Sequence, residues 1–286
     1  MSMTIEQNNS TQYQSKKNKT AAAGGIAAGL AFYSAVNILP QAVFVDKMVS
    51  QMSKIASSAD TDVIRSALDK AMGKTGLFMQ KGVQIMDLTG YVRPSRKSYI
   101  AEIVENQFSM PKAILKAKNA AFDYSKNQIF INIEKMGTAG FHEIGHAINF
   151  NQSKFWKILQ KCRLPLMVLS GIPVVISLFT HKKAEGEEPK NGFDKTGTFV
   201  KDNAGKLAAL ALVPIIAEEM KATQRGNKLA KELLSPELYK KVVKTNKFGL
   251  VGYLAAPVFV GIAAWLAGKI KDSIAKPNSD KNQTAY

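Results

Sequence analysis

Phe141-His142-Glu143-Ile144-Gly145-His146-Ala147 is the stretch around which the rest of the sequence arranges itself. It contains H-E-x-x-H, and on a helix the two histidines stand one turn apart on one face. Both imidazoles then reach one Zn²⁺, while Glu143 on the neighbouring edge faces a water on the metal. Zinc lowers the pKa of such a water towards about 7, and a carboxylate beside it takes the proton as the water attacks a carbonyl. The same pattern arises by accident as two helix-surface histidines beside an ordinary Glu. Here the whole chain holds three histidines, His142, His146 and His181, and two of them fill the motif.

The 286 residues suffice for a soluble domain plus a membrane part, and the composition points to that division. Apolar residues make up 46% but gather in Ala/Gly/Leu/Val runs separated by lysine-rich stretches. Lys and Arg number 39 against 22 Asp and Glu, a formal charge of +17. No nucleic-acid motif accompanies this charge, and aromatic residues are not interleaved with the basic ones, so nucleic acid is not the expected partner. The lysines flank the apolar runs, where anionic lipid headgroups would meet them. The lone cysteine, Cys162, excludes an intrachain disulfide and a cysteine metal cluster.

Upstream of the motif, residues 1–20 are polar and read as a disordered tail. The Ala/Gly-rich stretch 21–45 has the length of a first membrane helix; a cleaved signal peptide and a membrane-associated or buried helix are the competing readings. Its Gly25 and Gly29 form a G-x-x-x-G that permits close helix packing. Residues 46–160 read as a soluble domain carrying the motif. Within it, Asp60-Thr61-Asp62 caps a helix whose Val63, Ile64, Ala67, Leu68 and Met72 share a face and which ends near Gly73. Val83–Leu88 reads as a strand, and Tyr99–Phe108 as a helix between Pro94 and Pro111. The β-prone runs within 120–132 flank a polar Tyr-Ser-Lys-Asn turn and predict a hairpin. Its second strand, with Ile129 and Ile131, stands just before the motif helix, where it can line a cleft and pair with an extended peptide.

Downstream, residues 161–270 read as membrane helices, with apolar runs over 164–180, 204–217 and 248–270. A charged loop is expected over 181–203. The run 204–217 passes without an evident breaker into Glu218-Glu219, so one long helix is expected there, continuing over 218–233. Ser235-Pro236 restarts a helix, and 271–286 reads as a second tail. A catalytic zinc takes three protein ligands plus water. His181 lies in the charged loop, so a carboxylate of the Glu218-Glu219 pair is the expected third ligand. An acidic pair abutting a membrane helix is costly unless it meets water, a cation or a metal.

These residues resemble the membrane gluzincins typified by the HtpX heat-shock protease and the CAAX prenyl endopeptidase. In that family H-E-x-x-H on one helix is followed, after membrane helices, by a helix bearing E-x-x-A-D with a Gly soon after. Here His142–His146 matches the first motif, Glu219-Met220-Lys221-Ala222 matches E-x-x-A, and Gly226 falls where the glycine does. Thr223 replaces the family's Asp, so any support of a ligating histidine from that position would be weaker. The resemblance spans 138–226 and implies zinc on His142, His146 and Glu219, with Glu143 as general base. Glu218, about 100° round the helix, is then a supporting or solvent-facing residue. Arg225, Tyr124 and Tyr253 are candidates for stabilising the oxyanion, Arg225 also as a supporting or substrate-binding residue.

The expected fold is therefore mainly α with a small β hairpin or sheet: a zincin-like domain fused to a bundle of three to four transmembrane helices. The expected function is an integral-membrane, multi-pass zinc endopeptidase cutting peptide or membrane-protein substrates at the bilayer surface. A bacterial or organellar inner membrane, with the site on the cytoplasmic side, is the expected location. The competing reading is a non-catalytic membrane scaffold with a structural metal or none.

Overall fold

The computed structural model describes residues 2–90, 119–181, 183 and 187–275, with side chains from Lys19 onward. The helix expected over Tyr99–Phe108 lies outside the described residues. The elements run α1 (Ser2–Ala56), α2 (Thr61–Lys74), α3 (Leu77–Lys81), β1 (Gln84–Asp87), β2 (Ala121–Asp123), β3 (Gln128–Ile131) and α4 (Ile133–Met136). A 3₁₀ turn (Gly137–Ala139) then leads into α5 (Gly140–Gln152), α6 (Lys154–Lys161), α7 (Arg163–Phe179), α8 (Gly192–Asp202) and α9 (Ala204–Leu210). The last helices are α10 (Val213–Leu233) and α11 (Pro236–Ile274). The protein is mostly helical with one three-stranded sheet among its described residues.

The chain divides into two compact units, one of residues 38–166 and 212–256 and the other of 1–37, 167–211 and 257–286. The first contains the H-E-x-x-H helix. Its α2 is capped as the sequence predicts: the Asp60 carboxylate accepts from the backbone N–H of Asp62 and Val63. Ile64, Ala67, Leu68 and Met72 turn inward, whereas Val63 is exposed. The hairpin forms over β2 and β3, with Asn127 in the left-handed region at φ 56° closing its turn. The sheet order is β1-β3-β2, with β1 parallel and β2 antiparallel to β3. Ile129 and Ile131 of β3 and Phe141 and Ile144 of α5 join the α2 residues in one apolar core.

In the other unit, glycines let the helices approach closely. A Cβ on Gly29 would lie 2.9 Å from the Ala267 carbonyl oxygen, and one on Gly25 2.9 Å from that of Lys271. Among the described residues, two helices, Lys19–Ala56 within α1 and the whole of α11, are long and apolar enough to cross a membrane. The α6–α7 pair, bent by 53°, makes a third only if it is counted as one span.

Four expectations are corrected here. The run 204–217 is no single membrane helix: α9 ends at Leu210 and α10 begins at Val213. Pro214 is the reason, since its ring lacks an N–H for the Leu210 carbonyl four residues back and would collide with it. With that run removed, the described residues hold two long apolar helices, or three with the bent pair, against the three to four spans expected. The loop 181–203 contains α8, started by Asn191, whose side-chain oxygen accepts from Asp194 N–H at 2.9 Å. The polar residues from Ser2 are continuous with α1, there being no Pro or Gly before Gly24 to interrupt them.

Candidate metal centre

The motif sits on α5, whose residues Gly140 to Asn149 are all buried, and α10 packs directly across it. Two glycines set the distance between these helices. A Cβ on Gly145 would stand 2.1 Å from the Ala222 carbonyl oxygen, and one on Gly226 2.3 Å from that of Phe141. Backbone therefore touches backbone at both points, which brings α10's acidic pair up to the histidine face.

The resulting cluster is tight. His142 Nε2 and His146 Nε2 are 2.9 Å apart, and Glu219 Oε2 lies 3.1 Å from the first and 3.3 Å from the second. His142, His146 and Glu219 thus offer three ligand atoms within one small volume. Four ligands placed tetrahedrally at zinc–nitrogen and zinc–oxygen distances stand about 3.3 Å from one another. The observed separations fit that spacing, so the donor set suits zinc in both chemistry and size. Glu219 is wholly buried, and both imidazoles are nearly so.

Each ligand is braced from behind. Thr223 Oγ1 lies 3.1 Å from His142 Nδ1, placed to accept from the Nδ1–H when Nε2 faces a metal. Glu218 Oε1 lies 2.9 Å from His146 Nδ1. The same oxygen accepts from Asn149 Nδ2 at 2.8 Å and Gln160 Nε2 at 2.7 Å. Arg163 spans the acidic pair, donating to Glu218 Oε2 at 2.8 Å and to Glu219 Oε1. Its guanidinium also lies 6.0 Å from the Tyr253 ring. Two adjacent buried carboxylates are thereby held against two imidazoles and one guanidinium.

That balance governs the protonation of the metal-free centre. Burial pushes the His146 pKa down, but the Glu219 and Glu218 carboxylates outweigh it and hold it up to about 10. Burial would raise Glu218, yet His146, Arg163 and Asn149 bring it to about 2. Glu219 is held well below the usual carboxylate range against its own burial, chiefly by Arg163 and His146. His146 is therefore charged at neutral pH without metal and must be neutral to ligate one. About one proton should be released per metal bound, and affinity should fall about tenfold per pH unit as the pH drops below about 10. Calorimetric titration in buffers of different ionisation enthalpy measures that proton.

Glu143 stands beside the cluster, its Oε2 accepting from the Phe122 backbone N–H at 2.8 Å. Phe122 belongs to β2, which has β3 as its one partner among the described residues. This corrects the expected role of Ile129 and Ile131. Their strand β3 is paired on both sides and their side chains are 1% and 0% exposed, so they build the core, and β2 is the strand that reaches the site. Arg225 is half-buried on α10 with its Nη1 making no hydrogen bond. Tyr124 stacks on Phe150, 5.5 Å between ring centres, and takes no part in the cluster.

Sequence reasoning missed Arg163, Asn149, Gln160 and the Phe122 N–H. Arg163 was legible only as one more basic residue flanking an apolar run; the Glu218-Glu219 pair at the end of another such run was the available signal. Removing it leaves both carboxylates without their guanidinium. Breaking a buried pair costs about 3–5 kcal/mol, and with the Arg163 side chain 32% exposed the lower end applies. Arg163→Gln should thus destabilise the chelator-treated protein by about 3 kcal/mol and the metal-loaded protein by less, since the cation supplies the missing charge. Thermal unfolding with and without chelator checks the difference.

No protein-family model, no curated protein and no solved structure matches this chain.

Proposed function

We propose that this protein is an integral-membrane zinc endopeptidase, hydrolysing peptide bonds of peptide or membrane-protein substrates at the bilayer surface. The observation that carries this reading is the convergence of His142, His146 and Glu219 on one point, with Glu143 fixed beside them by Phe122. The membrane assignment draws on the length and apolar character of α1 and α11. Zinc on His142, His146 and Glu219 would supply Lewis acidity and a lowered water pKa.

The chain's own groups do the rest. Glu143 takes the proton of the attacking water and returns it to the leaving amine. One of its oxygens is engaged by the Phe122 N–H, which leaves the other for that transfer. Thr223 and Glu218 fix the two rings so that both Nε2 atoms face the same point. Among the described residues β2 is paired on one side only, and beyond the Phe122 N–H held by Glu143 its other edge is where an extended substrate can add as a further strand. These features support a zincin-like domain of the HtpX and CAAX endopeptidase kind, with Thr223 standing where those enzymes carry Asp. A cytoplasmic-facing site in a bacterial or organellar inner membrane, serving membrane-protein quality control or processing, completes the proposal.

A structural metal in a scaffold protein is the second reading, favoured by the burial of the ligands. Such a centre has no use for a carboxylate held as Glu143 is. Metal analysis and casein hydrolysis by the detergent-purified full chain separate the two. The endopeptidase reading expects about one zinc per chain, and cleavage lost to chelator and restored by zinc. Zinc without cleavage would move the scaffold reading to first place, and absence of zinc after reconstitution would overturn the endopeptidase and leave a scaffold without metal.

A further inference from the structure

Immediately after α5, the short helix α6 presents three different faces. At about 100° per residue, Phe155, Ile158 and Cys162 fall within one arc, and Phe155 and Ile158 are 61% and 59% exposed. Lys154, Lys157 and Lys161 occupy the adjoining arc, all exposed. Gln160 points the opposite way, buried, donating to the His146 carbonyl at 2.9 Å and to Glu218. One side of this helix is thus tied to the metal centre, while among the described residues the apolar arc lies open and, of the lysines, Lys157 rests over the Phe150 ring at 4.8 Å.

The composition around α6 identifies what they meet. No Asp or Glu occurs between Glu143 and Glu185, a stretch that includes α6 and α7. Lys81 of α3 joins Lys154 and Lys157 around a surface hollow of about 360 Å³. The apolar arc continues into Leu164, 70% exposed in the first turn of α7, and α7 leaves α6 at a bend of 53°. An apolar face flanked by lysines, turning sharply into an apolar helix, has the chemistry of a helix lying in the headgroup layer. A protein partner would need acidic groups and gains nothing from the apolar continuity with α7.

We propose that α6 is an interfacial helix that seats on the anionic surface of the bilayer, Phe155 and Ile158 entering the acyl boundary and Lys154, Lys157 and Lys161 engaging lipid phosphates. Through Gln160 this docking fixes the metal centre at the headgroup level. The inference rests on the membrane part of the proposed function but not on catalysis.

The test uses the full chain in lipid nanodiscs, in a Cys162→Ser background, with single spin labels at Phe155→Cys, Ile158→Cys and Lys154→Cys. A label at Lys70→Cys on exposed α2 serves as the water reference. At Phe155 and Ile158, collisions with oxygen should exceed those with a water-soluble nickel chelate, and at Lys154 the two should be comparable. Labels at 155 and 158 as open to nickel as the reference would overturn the proposal, as would labels shielded from both reagents, which would mean a protein partner or second copy on this face. In a second arm, a fluorophore at Ile158→Cys should be quenched several-fold more by brominated phosphatidylglycerol than by brominated phosphatidylcholine. Lys154→Gln, Lys157→Gln and Lys161→Gln together should abolish that preference; its survival would overturn the role of the lysines. Neither arm reads zinc or proteolysis, so failure of the endopeptidase reading would remain distinguishable.

Discussion

Glu143→Gln is expected to abolish peptide hydrolysis while leaving the metal in place. The glutamine amide keeps the shape of the carboxylate and its oxygen can still accept from the Phe122 N–H, so the local fold persists. What it lacks is a site for the proton of the attacking water. General acid–base catalysis contributes about 10²–10⁴-fold, and kcat should fall by that amount. Metal content should stay at the wild-type level, because Glu143 makes no contact with the three ligand atoms among the described interactions. A variant with unchanged turnover would remove Glu143 from the chemistry, and one that loses zinc would make it a structural support.

Gly145→Ala is expected to be as damaging without touching a ligand. The new methyl would be driven to 2.1 Å from the Ala222 carbonyl oxygen, a backbone atom that no rotamer change can move aside. Helices α5 and α10 must then separate, and overpacking of this kind costs about 1–3 kcal/mol or more. Glu219 rides on α10, so the separation also opens the ligand triangle. Metal affinity should fall with stability, and thermal unfolding beside equilibrium dialysis of zinc measures both. Serine should be no better than alanine, since the first added atom is the one that collides.

How far these features were readable depends on how local their causes are. The α2 cap, the 120–132 hairpin and the H-E-x-x-H helix are each set by neighbours within a few residues, and their sequences display them. The break at 211–212 was equally local, with Pro214 inside an apolar run that masked it. Strand order was not local: the parallel pairing of β1 with β3, over some forty residues, closes the outer edge of β3 and leaves β2 paired on one side only among the described residues. The same applies to Arg163, whose meaning comes from two glutamates more than fifty residues away. The spacing of the histidines was visible, whereas the braces behind them are contacts between segments that carry no motif.

Glu218 and Glu219 are chemically the same residue, adjacent on one helix, yet one points into the ligand triangle and the other stands behind it. Nothing in their composition decides which does which; the rotational phase of α10 does. A turn of that helix by one residue would exchange their parts and present a different but equally acidic face to the histidines. The two glycine contacts, at Gly145 and Gly226, act as the notches of a key: Ala222 and Phe141 meet them at one angle only. The centre thus owes its identity to an alignment, and two residues with no side chains at all are what enforce it.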